Sequence, residues 1–182
     1  NRAESTVSII DADAMKVLAT IPVGNGPHEV VVTADGKTAI VSNYGDQTPN
    51  TSFSIIDIES QKETKRADIL PMMRPHGMVA IGGKIYFSAE VNRAIGRFDL
   101  ATQKVDWVMG TGQNATHMLV VTPDQKRFYT ANIGSDSVTA FEFGNVPPAG
   151  SKVINIAVGK QPEAIDISPN GKEVWVGLNA ER

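Results

Sequence analysis

The chain of 182 residues is long enough to bury one substantial core, and its 17 basic and 20 acidic residues leave a formal charge of −3 with no basic run to grip a phosphate backbone. Cysteine is absent, which removes disulfides, thiolate metal sites, cysteine nucleophiles and covalent haem attachment through Cys-x-x-Cys-His together. No stretch reaches the roughly 18 to 20 uninterrupted apolar residues of a membrane-spanning helix, and no 3.6-residue apolar period persists for three turns. Nucleic acid is therefore not expected as a partner, nor is a membrane-spanning segment.

In chain order, the first predicted strands cover residues 6–11 and 16–23. A new pattern then opens with Gly26-Pro27-His28-Glu29-Val30-Val31-Val32, turns at Ala34-Asp35-Gly36-Lys37 and returns over 38–42. A third strand follows at 53–58 and a weaker fourth at 65–70. The pattern restarts with Arg74-Pro75-His76-Gly77-Met78-Val79-Ala80, turns at Ile81-Gly82-Gly83-Lys84, returns over 85–88, and continues at 94–100 and 104–109. A third pass runs from Ala115-Thr116-His117-Met118-Leu119-Val120-Val121 through Pro123-Asp124-Gln125-Lys126 to 127–130, 137–143 and 152–158. The last pass holds Gln161-Pro162-Glu163-Ala164-Ile165-Asp166-Ile167, Pro169-Asn170-Gly171-Lys172 and a return over 173–176. Asp-Gly, Gly-Gly and Asn-Gly between β-rich runs tolerate the positive φ of tight turns and read as hairpins. Asp11, Asp57 and Asp99 recur at the ends of third strands and read as caps of the following turn.

Lead positions 28, 76, 117 and 163 lie 48, 41 and 46 residues apart. Four antiparallel strands in a repeat of this length make one propeller blade, which needs neighbours to cover both its faces. The expected fold is all-β, a β-propeller with about four blades' worth of four-stranded antiparallel sheets, residues 1–182 forming a single propeller domain or fragment. Two strands at the start and two at the end permit a small ring in which they share a closing blade. The expectation adopted is a run of blades from a larger ring, with further blades absent from this chain. Trp107 and Trp175 read as packing between blades.

First strands line the central channel of a propeller, so the lead positions form a ring: His28, His76, His117 and Glu163, which takes in all three histidines. Such a ring either closes the channel mouth through bonds to carbonyls and water, with Pro27, Pro75 and Pro162 fixing the entering loops, or gathers imidazoles around a polar ligand or a divalent cation. Reflection about the hairpin turns sets Asn43 beside His28, Glu90 beside His76 and Asn132 beside His117, with Leu178 at the same place in the last repeat. The Glu90–His76 pair is the expected acid–base couple or shared metal site, with His117 as a second proton-transfer group. His28, Asn43, Asn132 and Glu163 are expected to contact a ligand, and Arg93 to face an anionic substrate. Loops at 45–50 and 144–150 mark where specificity would reside. No serine sits in a nucleophile elbow.

The repeat resembles the bacterial and archaeal propellers named after a Tyr-Val-Thr-Asn (YVTN) repeat, related to surface-layer proteins. The resemblance rests on Pro27 to Lys37 with Ala39-Ile-Val-Ser-Asn43, on Thr122-Pro-Asp-Gln-Lys126 with Phe128-Tyr-Thr-Ala-Asn132, and on Ile167-Ser-Pro-Asn-Gly-Lys172 with Val174-Trp-Val176. The blade holding Arg74-Pro-His-Gly-Met78, Gly83-Lys-Ile-Tyr-Phe-Ser-Ala-Glu90 and Asn92-Arg-Ala-Ile-Gly-Arg97 is similar to those of the streptogramin B (virginiamycin B) lyases. That resemblance implies a seven-bladed ring and a Mg2+-assisted elimination that opens a cyclic depsipeptide. It maps His76 to the catalytic-acid histidine, Glu90 to the glutamate of the same blade and His117 or His28 to a neighbouring-blade histidine. A propeller lactonase is the other enzyme relative.

Fold resemblance alone does not specify chemistry. The leading expectation is a non-catalytic propeller, extracytoplasmic (periplasmic or secreted), presenting a rim or channel-mouth surface to a protein, glycan or small-molecule ligand. The alternative is a channel-centred lyase or lactonase acting on a cyclic ester, with His76 as acid/base and Glu90 as its partner or metal ligand.

Overall fold

A computed structural model describes residues 1–144 and 149–181. After a short 3-10 turn, Arg2–Glu4, the chain forms a leading half-blade from β1 (Thr6–Asp11) and β2 (Lys16–Pro22). Three full blades follow: β3 (Pro27–Val32), β4 (Thr38–Gly45), β5 (Pro49–Asp57) and β6 (Lys62–Asp68), then β7 (Pro75–Ile81), β8 (Lys84–Ala89), β9 (Ala94–Asp99) and β10 (Lys104–Gly110), then β11 (Thr116–Val121), β12 (Arg127–Asn132), β13 (Ser137–Glu142) and β14 (Lys152–Ala157). A trailing half-blade holds β15 (Pro162–Ile167) and β16 (Val174–Leu178). Every sheet is a meander in sequence order, and all its pairings are antiparallel. The first strands pack side by side, β3 against β7, β7 against β11 and β11 against β15, while β14 is exposed along its whole length. The blades are thus set radially, first strands innermost. The two half-blades remain separate sheets, so the end strands do not combine into one closing blade. Of the two loops singled out above, 45–50 joins β4 to β5, whereas 145–148 lies outside the described residues.

The turns between first and second strands explain the recurring Thr/Ser-x-Asp/Asn-x-Lys signature. Thr33 Oγ1 donates to Asp35 Oδ1 at 2.6 Å, and the same oxygen accepts from the Lys37 N–H at 3.1 Å. Thr122, Asp124 and Lys126 repeat that arrangement, as do Ser168, Asn170 and Lys172. Blade two uses a shorter device: Gly82 and Gly83 have φ of 55° and 76° and join the paired residues Ile81 and Lys84, a two-residue turn that side chains would strain. Asp11, Asp57 and Asp99 each accept backbone N–H groups of the following turn, as their recurrence suggested.

The period-2 alternation of strands sends successive side chains into opposite blade interfaces. In β4, Ala39 and Val41 join Ile21 and Val23 against the leading half-blade, while Ile40 joins Phe53, Phe87 and Phe98 against blade two. In β8, Ile85 and Phe87 face blade one and Tyr86 faces blade three, beside Trp107 and Phe128. Phe53 meets Phe87 and Phe98 edge-on, with ring centroids 5.0 and 5.5 Å apart, the arrangement the ring quadrupoles favour. Trp107 fills an interface as expected. The trailing half-blade packs on blade three through Ile165, Val174 and Val176, and Trp175, one residue out of phase, lies on its other face, turned away from blade three. Among the described residues no helix is long and apolar enough to cross a membrane.

Candidate functional site

Each first strand carries a β-bulge at its lead position. The register shifts between Pro27 and Val30, Pro75 and Met78, Thr116 and Leu119, and Pro162 and Ile165. A bulge re-aims the side chains it holds, and here it turns them toward the channel mouth. It also slips the pairing by one residue, so Asn43 lies opposite Pro27 rather than His28, and Asn132 opposite Thr116 rather than His117. In blade two the turn centre between Gly82 and Gly83 adds a second slip, and Glu90 follows the end of β8 with its N–H on the Arg74 carbonyl at 3.2 Å. The positions equivalent to Glu90 are therefore Tyr44, Ile133 and Asn179, whose N–H groups bond to Gly26, Ala115 and Gln161 in the same way.

This correction rearranges the expected pairs. Glu90 bonds not to His76 of its own blade but to both neighbouring blades: Oε2 accepts from the Tyr44 hydroxyl at 2.5 Å, and Oε1 accepts from His117 Nδ1 at 2.6 Å. The other ring nitrogen of His117, Nε2, lies 3.9 Å from Glu163 Oε1. The phenol of Tyr44 is pushed up to about 12 by burial and then by Glu90. The Arg74 guanidinium lies 4.8 Å and that of Arg2 5.2 Å from the Tyr44 ring centre, anchored on the carbonyls of Asp46 and Gly45.

The three imidazoles form a column across the three full blades. His28 and His76 have centroids 4.2 Å apart, and His76 and His117 3.8 Å apart. Gly77 permits this approach, because a Cβ there would stand 2.8 Å from the His117 carbonyl oxygen and from Met118 Cα, both backbone atoms. His76, in the middle, is 2% exposed and its pKa falls to about 2, first from burial and then from His117, His28 and Arg2, so it is neutral. Its Nδ1 is buried with no hydrogen-bond partner among the described residues. His28 lies at the edge, 3.3 Å from Glu29 Oε1, and that bond holds the Glu29 carboxyl below its ordinary range.

Several expected ligand contacts are placed elsewhere. Asn43 and Asn132 are completely buried inside their blades, Asn43 donating to Ser52 and Ser54 and Asn132 to Ser137 and Thr139. They bind the second strand to the third and do not line the channel. Arg93 is exposed, and its carbonyl, accepting from Thr111, rather than its guanidinium ties down its loop. Glu163 reaches the site only at the 3.9 Å contact with His117 and is 48% exposed. Tyr44, Arg74, Arg2 and Glu29 were not anticipated. Glu29 had a signal: it is the one acidic residue directly after a lead histidine.

Two groups have donor atoms within 4.8 Å of one another, His28 with Glu29 and His76, and His76 with Glu90 and His117, so two His/Glu clusters are able to hold a metal ion. Each offers two imidazole nitrogens and one carboxylate. Mg2+ prefers an octahedron of oxygens, so the Mg2+ implied by the lyase resemblance does not fit this donor set.

No protein-family model matches the chain, and no curated protein matches it. Solved structures do. The chain superposes on hydrazine synthase of Kuenenia stuttgartiensis with a TM-score of 0.81 at 20% identity, covering 98% of this chain and 57% of that one. It superposes on a functionally unknown protein of Desulfotomaculum acetoxidans DSM 771 with a TM-score of 0.77 at 18% identity, covering 96% and 56%. A provisionally assigned 6-phosphogluconolactonase of Bacteroides uniformis ATCC 8492 gives 0.71 at 18%, covering 95% and 56%. The chain thus spans little more than half the length of the structures it matches. At these identities the likeness establishes the fold, a propeller-like scaffold, on which this chain sets two His/Glu clusters around buried His76.

Proposed function

We propose that the channel mouth is a catalytic centre that opens a small cyclic ester, a lactonase- or lyase-type activity. The observation that carries this reading is the Tyr44–Glu90–His117 chain, drawn from three blades and converging on a column of imidazoles whose middle member, His76, is buried. A surface that only bound a partner would not need a carboxylate shared between a phenol and an imidazole, and the arrangement is that of a base oriented by a third group. In hydrolysis, His117 Nε2 takes a proton from water as the water oxygen bonds to the ester carbonyl carbon. The ring C–O bond then breaks, and the leaving oxygen takes that proton back, giving a hydroxy acid. Glu90 holds the ring and offsets the positive charge that forms on it. Arg2 and Arg74 favour an anionic substrate. Two matched structures, from Bacteroides uniformis and Bacteroides fragilis, carry the provisional assignment 6-phosphogluconolactonase, which is consistent with a phosphorylated lactone. The same reading takes the blades as part of a seven-bladed ring; coverage of 56 to 57% of longer propeller-like chains supports it.

The test is a pH-stat assay on γ- and δ-lactones, neutral, carboxylated and phosphorylated. Turnover by the wild type that His117→Ala lowers about a hundredfold or more supports the reading. Absence of turnover on every lactone, or turnover untouched by His117→Ala, refutes it.

A second reading, a rim that binds a partner, draws on a separate feature. A cleft of about 380 Å3 between blades two and three is lined by Tyr86, Trp107 and Phe143 with Arg97 and Lys126, at the end of the blades away from the histidines. Aromatic walls with two cations suit a sugar or an anionic aromatic ligand.

A further inference from the structure

We infer that His28, Glu29 and His76 form a three-ligand site for a borderline divalent transition ion of the Zn2+ class, open on the channel side. The site stands beside the ring-opening reading and does not depend on it. Three observations carry it. His76 brings a buried nitrogen, Nδ1, that nothing among the described residues bonds, and in a cluster of this composition a metal is a natural partner for such an atom. His28 and Glu29 are consecutive and in a regular strand would point to opposite faces, yet the bulge between Pro27 and Val30 brings both to the same donor group. The donor set of two imidazoles and one carboxylate is one that Zn2+ occupies in three-ligand sites with an open fourth position.

The neighbouring cluster is the weaker host. Both carboxylate oxygens of Glu90 and Nδ1 of His117 are engaged in contacts of 2.5 and 2.6 Å, which an ion there would have to break. Glu29 gives up only the 3.3 Å contact with His28. Two metal–ligand bonds of about 2.0–2.2 Å span at most about 4.4 Å. The donors lie within 4.8 Å, and His28 and Glu29, each with about a third of its side chain exposed, can close what remains. Among the lead positions only the first pairs histidine with a following carboxylate, since Gly77, Met118 and Ala164 occupy the equivalent places. The site therefore belongs to one blade boundary rather than to the repeat.

The experiment is direct binding, read without any substrate. Protein stripped with a chelator is titrated with Zn2+ against a fluorescent indicator, and Co2+ is added separately to record d–d bands. The expected result is one Zn2+ per chain with Kd at or below about 10 µM, weakened about tenfold or more by His28→Ala and by Glu29→Gln, unaffected by Glu90→Gln, and not displaced by roughly 5 mM Mg2+. Both weakening substitutions fall on partly exposed side chains and leave the core intact. No Zn2+ retained at that concentration, binding insensitive to both variants, or displacement by Mg2+ overturns the inference. Loss of binding in Glu90→Gln with His28→Ala unchanged also overturns it, by assigning the ion to the other cluster. Ring opening that survives complete removal of Zn2+ leaves the catalytic reading standing while the site is judged on binding alone.

Discussion

Glu90 crosses a blade boundary to bind His117: its Oε1 lies 2.6 Å from Nδ1 of an imidazole that belongs to the next sheet, while its Oε2 holds Tyr44 of the preceding one. One carboxylate thus couples three blades through one short contact to each neighbour.

Replacing Glu90 by Gln keeps the shape and removes the charge. Ring-opening kcat is expected to fall about a hundredfold, within the range of a lost acid–base partner. Independently of any substrate, the phenol of Tyr44, held up to about 12 by burial and by Glu90, should titrate lower in Glu90→Gln. Phenolate absorbance against pH measures this, with Tyr44→Phe identifying which of the three tyrosines responds. An unmoved phenol would mean that Glu90 does not act on it.

Acid should destabilise the fold through His76. Its folded-state pKa of about 2 lies below the 6.5 of the unfolded chain, so the stability tied to keeping it neutral is fully present above pH 6.5 and is lost as pH falls toward 2. The groups facing it are His28, His117, Tyr44 and Arg2, with the carboxylates of Glu29 and Glu90 within 4.8 Å. Unfolding free energies from urea titrations between neutral pH and pH 4 should fall with a slope of up to about 1.4 kcal/mol per pH unit. In His76→Asn the slope should flatten, whatever the absolute stability, and an unchanged slope would assign the acid sensitivity to other groups.

Gly77→Ala should destabilise by roughly 1–3 kcal/mol, because the new methyl meets backbone of β11 that cannot rotate away. Gly110→Ala, where a Cβ meets nothing within 4 Å, is the matched control and should be nearly neutral. Thermal melts of the two variants compare them directly.

Asn43→Ala should act on stability and not on substrate binding. It strips the hydroxyls of Ser52 and Ser54 of a buried donor, worth about 1–3 kcal/mol. KM of the folded variant should stay at the wild-type value. A raised KM with unchanged stability would return Asn43 to the channel.

The strands and their turns were legible because each is a local pattern: a β-rich run, then Asp-Gly, Gly-Gly or Asn-Gly. That His28, His76 and His117 come together, with Glu163 at their edge, was legible for the same reason, since these positions repeat at the same offset from each turn. The bulges were not. A one-residue slip leaves no mark on composition, yet it moved Asn43 and Asn132 from the channel into the blades and hid the equivalence of Tyr44 with Glu90. The Glu90–His117 bond spans a blade boundary, which reflection within one hairpin cannot reach. For Trp175, period-2 alternation gives the face of the side chain, turned away from blade three, but not which sheet covers that face.

The close approach at Gly77 also bears on how such a chain can change. Repeat proteins grow and shrink by gaining or losing whole units, and a core in which every interface resembles the next tolerates that exchange. The stretch from Tyr44 to His117 does not, because a unit inserted within it would leave the aromatic interfaces satisfied and yet part the carboxylate from one of its two neighbours. That segment is expected to be inherited whole, while the blades on either side of it remain open to duplication and loss.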